Sequence, residues 1–427
     1  MRAGLAARAG DRVSVPAAEV GAGSVVRLHP LVVRPDDEDP ETIVAGRPDL
    51  GEFVELPAVC GEVIRLLGEG RPVADVEAAV ADEHDVELDV ADFVESLADL
   101  EFVAEIDGRP LPGTAPKAAH FAGITERHVR PLFARPVRLV WLAVVAAAAL
   151  TVVVRPGLFP HHRDFFWSEY TGLSVLVNTA FFSVVASVHE MMHLLAARSL
   201  GAPARIAFGT RLHYLVVQTD VTAIWGVPRR RRYRVYLAGM ASDLLLIATM
   251  LLAVAYLPLS GFAEALLRAF ILTTLLSLPL QAQIYMRTDL YFVLRDLLRC
   301  KDLFGDGLRY VRYLLARAVA PFRKPSAPAA DPTGELAPHE RRAVRIYAVA
   351  LALGGSVTLT VFAFYGGPII VNGLVHAFAA VREGLRGGSV VAAVDAALLI
   401  LVEGGIQVMF LVTFFRTRRP WLRRSRS

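Results

Sequence analysis

Cysteine is scarce in this chain, and an apolar run near its beginning is lacking. The 427 residues include two cysteines, Cys60 and Cys300, too few for a disulfide framework or a zinc cluster built from cysteine. The opening MRAGLAARAGDRVSV has positive charge but no apolar core of the length that a signal peptide needs. We therefore expect free thiols in a reducing compartment and a disordered tail over residues 1–23.

Internal repeats are also lacking, although hydrophobic residues make up 54% of the chain. Paired half-repeats would indicate a transporter whose intramembrane acids relay ions, so that function is disfavoured. The hydrophobic share exceeds the norm for globular proteins and places much of the chain in lipid. The net charge of +3 hides an uneven distribution, because residues 24–109 carry many Asp and Glu against six Arg.

Residues 24–108 predict a small soluble α+β domain of winged-helix type. Its strands and helices are expected over 25–33, 52–56 and 102–106 and over 57–68, 72–84 and 89–100, respectively. An acidic surface repels phosphates, so we expect a peptide or protein partner and no nucleic acid. Residues 109–134, rich in Pro, Gly and Arg, predict a linker to the rest of the chain.

Beyond the linker, six apolar stretches predict a mainly α fold, a polytopic membrane protein with about six transmembrane helices. The stretches are 139–154, 173–197, 235–257, 265–286, 344–365 and 389–415. Basic residues cluster before the first, between the second and third, between the fourth and fifth, and after the sixth. By the positive-inside rule, both termini lie in the cytoplasm and the loop 366–388 lies outside a cell (inner or plasma) membrane. We assign residues 135–300 to a membrane core, 301–343 to a cytoplasmic loop and 344–427 to C-terminal helices with a basic tail.

The second stretch carries His189-Glu190-Met191-Met192-His193, in the pattern HExxH. A four-residue spacing places both imidazoles on one face of a helix, where they supply two ligands of a tetrahedral zinc ion. Glu190 then lies beside the metal-bound water and can accept its proton and pass it to the leaving amine. A structural polar cluster is the alternative, but two His and a Glu are costly in an apolar span and favour a functional role.

A hydrolytic zinc site takes a third protein ligand and leaves one position for water. Asp289 is the first candidate, because it follows the fourth stretch at its cytoplasmic end, the depth at which the second stretch leaves the membrane. Asp243, inside the third stretch, is the second candidate, as a ligand or as an acceptor for an imidazole N–H. An ordinary interfacial carboxylate is the alternative reading of Asp289.

Three segments in order, HEMMH, LAGMASDL and MRTDLYFVLRDL, resemble the motifs of the site-2-protease-like intramembrane zinc metalloproteases, most closely the peptide zinc metalloprotease branch. LVVQTDVTAIWGVPRRRRYRVYLAG, between the first two motifs, is also similar to this branch. The resemblance covers roughly residues 171–300. It implies a zinc metalloendopeptidase with His189, His193 and Asp289 as ligands and Glu190 as the base.

The chain departs from that family's pattern at two places. Gly239-Met240 and Asp243 stand where the family has Gly-Pro and Asn, and Leu290 stands where the family has a glycine after the last Asp. A glycine there would allow a close backbone approach or a positive φ. The departures therefore bear on the geometry of this loop and on activity.

The N-terminal domain resembles the PqqD-like peptide-binding modules found with ribosomally made, modified peptides. LPAVCGEVIRLLGEGRPVADVEAAVADEHDVELDVADFVESLADLEFV follows their order of a helix, a Gly-containing turn, two helices and a short strand. The resemblance implies that a leader peptide adds as a strand to the edge of the sheet. A structural cap on the membrane domain is the alternative.

Other polar residues are assigned ordinary roles or left open. Histidines in exposed loops usually bind no metal. This group contains His161, His162 and His213. The run Arg229–Arg232 is interpreted as a juxtamembrane segment that fixes topology and contacts anionic lipid. Asp395 and Glu403 in the last stretch are functional candidates that face the protein interior or a water-filled path.

Two classes of function remain open. The leading hypothesis is an intramembrane zinc metalloprotease that cleaves a peptide or a membrane-tethered protein, such as a ribosomally made peptide precursor, near the cytoplasmic face. The alternative is a catalytically inactive membrane scaffold, or an export or maturation partner, that binds a modified or leader peptide.

Overall fold

A computed structural model of the chain describes residues 20–116, 118–319 and 330–424. Most of the tail predicted over 1–23 lies outside these described residues. The chain forms two compact units. The first comprises the residues up to Arg130 together with Leu194–Arg205 and Asp220–Arg232, and the second comprises the remainder.

Helix is the main secondary structure of the described residues. The strands are β1 Val26–Leu28, β2 Val32–Pro35, β3 Thr42–Arg47, β4 Glu52–Pro57, β5 Val103–Ile106, β6 Arg109–Pro110, β7 Arg205–Arg211 and β8 Tyr214–Asp220. The α-helices are α1 Val59–Gly68, α2 Val73–His84, α3 Val90–Asp99, α4 Glu126–Val129, α5 Arg135–Val154, α6 Thr171–Arg198, α7 Arg229–Tyr236, α8 Ala238–Tyr256, α9 Gly261–Gln281, α10 Asp289–Leu297, α11 Leu303–Val319, α12 Pro338–Val361, α13 Gly367–Leu385 and α14 Val390–Arg424.

The N-terminal part of the first unit is a small α+β fold. β2, β3 and β4 form one antiparallel sheet, and β1, β5 and β6 form another. On α1, Val63, Ile64 and Leu67 recur at helical spacing and are buried in the core with Phe93 and Phe102. The three predicted helices and the strand after them are confirmed to within two residues. β3 was missed because it is buried along almost its whole length and lacks the alternation typical of a half-exposed strand.

The segment 220–232 of the first unit packs against the turn between β2 and β3. Arg229 forms an ion pair with Glu38. Arg232 is 3% exposed, and its guanidinium lies 4.7 Å from the centre of the Trp225 ring. Two arginines of the predicted juxtamembrane run therefore have protein partners, whereas the two between them are exposed.

Six described helices are long and apolar enough to cross a membrane. They are Arg135–Val154, Thr171–Arg198, Ala238–Tyr256, Gly261–Gln281, Pro338–Leu385 and Val390–Arg416. Where α5, α8 and α9 meet, Ala148, Leu251 and Ile271 are buried together. Phe181 of α6 stacks on Phe270 of α9 with ring centroids 3.8 Å apart. Each of the six predicted apolar stretches thus corresponds to a helix of spanning length.

The fifth of these helices differs from the prediction. α12 continues through a π-helical turn, Phe362–Gly366, into α13, so that Pro338–Leu385 is one helix of 48 residues. Its length is about 72 Å, well beyond the hydrocarbon thickness of about 30 Å. The loop predicted over 366–388 is helical as far as Leu385, because Gly366 and its glycine neighbour keep helical backbone angles and continue the helix, and the turn before α14 is confined to residues 386–389. Part of the predicted loop 301–343 is likewise helical, since it contains α11.

The first turn of α6 is capped by the last helix. The carboxylate of Asp395 on α14 accepts the backbone N–H groups of Gly172 and Leu173 at 3.0 and 2.9 Å. A Cβ on Gly172 would lie 1.9 Å from the Asp395 carbonyl oxygen, so this close approach requires glycine. Asp395 therefore has a structural role at a helix N-terminus. Glu403 is the other candidate carboxyl residue of this helix. In the described part of the chain, its side chain forms no hydrogen bond or ion pair.

We expect Asp395→Ala to lower the free energy of unfolding of the second unit by about 1 kcal/mol, because two N–H groups of a helix terminus lose their acceptor. Asp395→Asn keeps one carbonyl acceptor and should be intermediate. Thermal unfolding in detergent measures the change, with Glu403→Ala as the matched control in the same helix. An unchanged melting temperature for Asp395→Ala would contradict the capping role.

Candidate metal centre

His189 and His193 lie one helical turn apart on the same face of α6. Both residues are 6% exposed. Their Nε2 atoms are 3.1 Å apart. The spacing of the HExxH pattern thus directs two imidazoles to a single point inside the second unit.

Each imidazole is oriented through its other ring nitrogen. Nδ1 of His193 lies 2.7 Å from the Val235 carbonyl oxygen, which can only accept, so this nitrogen carries the proton. Nδ1 of His189 lies 2.7 Å from Oδ2 of Asp243. Both Nε2 atoms then keep a free lone pair, the form in which histidine binds a metal. Asp243 lies behind His189 as an acceptor for its N–H rather than at the point where the two Nε2 atoms converge.

Asp289 is the third residue at this point. It is the first residue of α10, and its Oδ2 lies 3.0 Å from Nε2 of His189 and 3.2 Å from Nε2 of His193. Its backbone N–H donates to Oε1 of Gln281 at 3.2 Å, which ties the start of α10 to the end of α9. The N-terminus of α10 favours the ionised carboxylate.

The three converging atoms fit a single metal ion. Their separations are 3.0, 3.1 and 3.2 Å. A tetrahedral zinc ion with bonds of about 2.0–2.1 Å keeps its ligand atoms about 3.3 Å apart. Two imidazoles and one carboxylate also form a donor set of hydrolytic zinc sites, which leave the fourth position open. His189, His193 and Asp289 can therefore hold a metal ion.

Glu190 is half-buried beside this group and is held by a strand. Its Oε2 accepts a hydrogen bond from the hydroxyl of Thr219 at 2.6 Å. Thr219 belongs to β8, which pairs with β7 in a hairpin that sequence reasoning missed. The segment YLVVQTD contains the β-branched and aromatic residues typical of a strand, so a signal was present.

Arg211, also missed, brings positive charge to the same place from the end of β7. Burial lowers the pKa of its guanidinium, whereas the carboxylates of Asp289 and Glu190 act to raise it. The guanidinium of Arg211 therefore interacts electrostatically with both carboxylates in a poorly solvated position. The hairpin contributes a hydroxyl donor and a cation to a site otherwise built from helices.

The local structure accounts for the residue type at two positions of the motifs. A Cβ on Gly239 would lie 2.4 Å from Nε2 of His189, so glycine leaves the room that the imidazole occupies. Leu290 lies in the first turn of α10, where no glycine is required. The positive φ of this connection, 58°, falls on Arg287 instead. The departure from glycine at Leu290 is therefore compatible with the observed position of Asp289.

The other histidines considered lie elsewhere. His161 and His162 are exposed in the segment before α6. His213, at the tip of the β7–β8 hairpin, stacks on Phe362 with ring centroids 4.0 Å apart. This stacking fixes the hairpin tip against the π-helical turn of the long helix. Among the described residues, these three histidines belong to no group of three metal-ligating side chains.

We expect Asp243→Ala to lower metal affinity by about 10- to 100-fold, because the His189 ring loses the acceptor that fixes its orientation. Asp243→Asn keeps an acceptor without the charge and should lose less. Competition with a chelator of known affinity measures the change on purified protein. Equal affinities for the wild type and Asp243→Ala would show that Asp243 does not orient the ligand.

No protein-family model, no curated protein and no solved structure matches this chain.

Proposed function

We propose that the protein is a site-2-protease-like intramembrane zinc metallopeptidase that hydrolyses a peptide or a membrane-tethered protein. The observation that carries the proposal is the convergence of His189, His193 and Asp289 with separations of 3.0–3.2 Å, beside the carboxylate of Glu190. Two neutral imidazoles and a carboxylate suit zinc, and the neighbouring carboxylate suits a general base.

The residues have distinct roles in the proposed hydrolysis. His189, His193 and Asp289 would hold the zinc ion, which supplies Lewis acidity when bound. Glu190 accepts a proton from the attacking water as the water oxygen bonds to the carbonyl carbon, and it delivers that proton to the amine nitrogen as the carbon–nitrogen bond breaks. The products are a carboxylic acid and an amine, which then ionise in water. Arg211 provides positive charge near the carbonyl oxygen, where negative charge develops.

We place the site near the cytoplasmic face of a cell membrane, with both termini in the cytoplasm. His189 lies 18 residues beyond the start of α6, which is about 27 Å along the helix and close to the thickness of the hydrocarbon layer. The arginines that follow α6 in sequence, at the start of α7, support a cytoplasmic location of that end.

For the N-terminal domain we propose a PqqD-like, winged-helix module that binds a peptide. Three helices packed with two small antiparallel sheets support this fold, and the acidic composition disfavours nucleic acid. A ribosomally made precursor with a leader peptide is the substrate class that fits such a module. The domain would then recruit the substrate of the membrane site.

Metal content tests the ligand set. Elemental analysis of the detergent-purified protein should find one zinc ion per chain, and His189→Ala and Asp289→Ala should each lose it, since two remaining ligands bind weakly. His213→Ala and Glu403→Gln change a histidine and a carboxyl residue outside the site and should keep the ion. A wild-type protein without zinc, under conditions that preserve bound metal, would favour an inactive scaffold.

Glu190→Gln tests the base. This change removes the proton acceptor and keeps the three ligands, so zinc should stay bound while cleavage falls by at least 100-fold. Cleavage is followed by mass spectrometry on a mixed-sequence peptide library, with a zinc chelator as the control on the wild type. Loss of zinc in Glu190→Gln, or full cleavage by it, would overturn the assignment of roles.

A further inference from the structure

The β7–β8 hairpin contacts the residue that the proposed hydrolysis uses as its base. Oγ1 of Thr219 lies 2.6 Å from Oε2 of Glu190 and 2.9 Å from the Glu190 backbone carbonyl oxygen. A threonine hydroxyl has one proton to donate, and a carboxylate attracts it more strongly than a neutral carbonyl does. The charged side chain of Glu190 is therefore the main acceptor.

This contact restricts the conformation of Glu190. A glutamate side chain has three rotatable bonds and loses its freedom only where a partner holds its end. The polar side chains three residues away on the same helix, Ser187 and His193, are bonded to the carbonyl oxygens of Ser183 and Val235. The hydroxyl of Thr219 comes from a separate element and defines the direction in which the carboxylate points.

The hairpin is itself fixed at its far end. His213 at the tip stacks on Phe362, and a Cβ on Gly209 would lie 3.2 Å from the Gln218 side chain, so the two strands pack tightly across this position. A strand held in this way can act as a rigid support for a side chain at its other end. Positioning to within a fraction of an ångström matters for proton transfer.

We propose that Thr219 is a positioning residue that holds the Glu190 carboxylate in the orientation required to take a proton from the attacking water. The proposal rests on the function proposed above and adds to it a residue outside the three motifs. Thr219 acts through Glu190 and does not contact the metal ligands.

The test compares Thr219→Val, which keeps the β-branched shape and removes the hydroxyl, with Thr219→Ser, which keeps the hydroxyl. Both are prepared as zinc-loaded full-length protein and assayed on the peptide that the wild type cleaves best in the mixed-sequence library. We expect Thr219→Val to lower kcat about tenfold or more, with KM within twofold and zinc content unchanged, because a hydrogen bond to a charged group is lost. Thr219→Ser should recover most of kcat.

A second measurement tests the contact without activity. The melting temperatures of the wild type, Thr219→Val, Glu190→Ala and the double variant form a double-mutant cycle. We expect the double variant to be less destabilised than the two single shifts added together, since both changes remove the same bond. Additive shifts would overturn the contact.

The outcomes separate this proposal from the function on which it rests. Equal kcat in the wild type and Thr219→Val, with Glu190→Gln inactive, would overturn the role of Thr219 and leave the peptidase intact. A zinc-loaded wild type that cleaves no peptide would overturn the peptidase, and the positioning role of Thr219 with it.

Discussion

The second unit is built around one constraint. Two imidazole nitrogens and a carboxylate oxygen lie within 3.2 Å of one another inside an apolar helix bundle. Each group needs a second contact that fixes it. Asp243 and the Val235 carbonyl orient the two rings, and Gln281 anchors the carboxylate-bearing residue by its backbone. The small size of Gly239 admits the His189 ring. The elements between α6 and α10 are thus arranged to support three atoms.

Charge at the site is compatible with a bound cation. Counted in their ionised forms, the carboxylates of Asp243, Asp289 and Glu190 outnumber the guanidinium groups of Arg211 and Arg287, which act on each other. Unbalanced charge in a poorly solvated interior costs several kcal/mol per group. A cation held by His189, His193 and Asp289 would offset the remaining negative charge.

The sequence predicted the grouping of His189, His193 and Asp289. The HExxH spacing paired the imidazoles, and the depth of Asp289 relative to the second apolar stretch predicted that it would join them, although 96 residues separate it from His193. Prediction failed where no motif marks a distant partner: Asp395 caps a helix 223 residues away in the chain, and nothing near it in sequence indicates that. The loop predicted over 366–388 is another such case, because Gly366 and Gly367 keep helical backbone angles despite the low helix propensity of glycine. The contact of Thr219 with Glu190 likewise exists only once the hairpin has folded back.

The distance along the chain between the ligands has a consequence for biosynthesis. Asp289 follows His193 by 96 residues, and two of the spanning helices lie between them. At a synthesis rate of about 5–20 residues per second, the histidine pair leaves the ribosome about 5–20 s before its carboxylate partner. During that interval the histidine pair of α6 has no carboxylate partner from α10. The order of translation therefore sets the earliest time at which the three side chains can converge, which is after the fourth apolar helix has been synthesised.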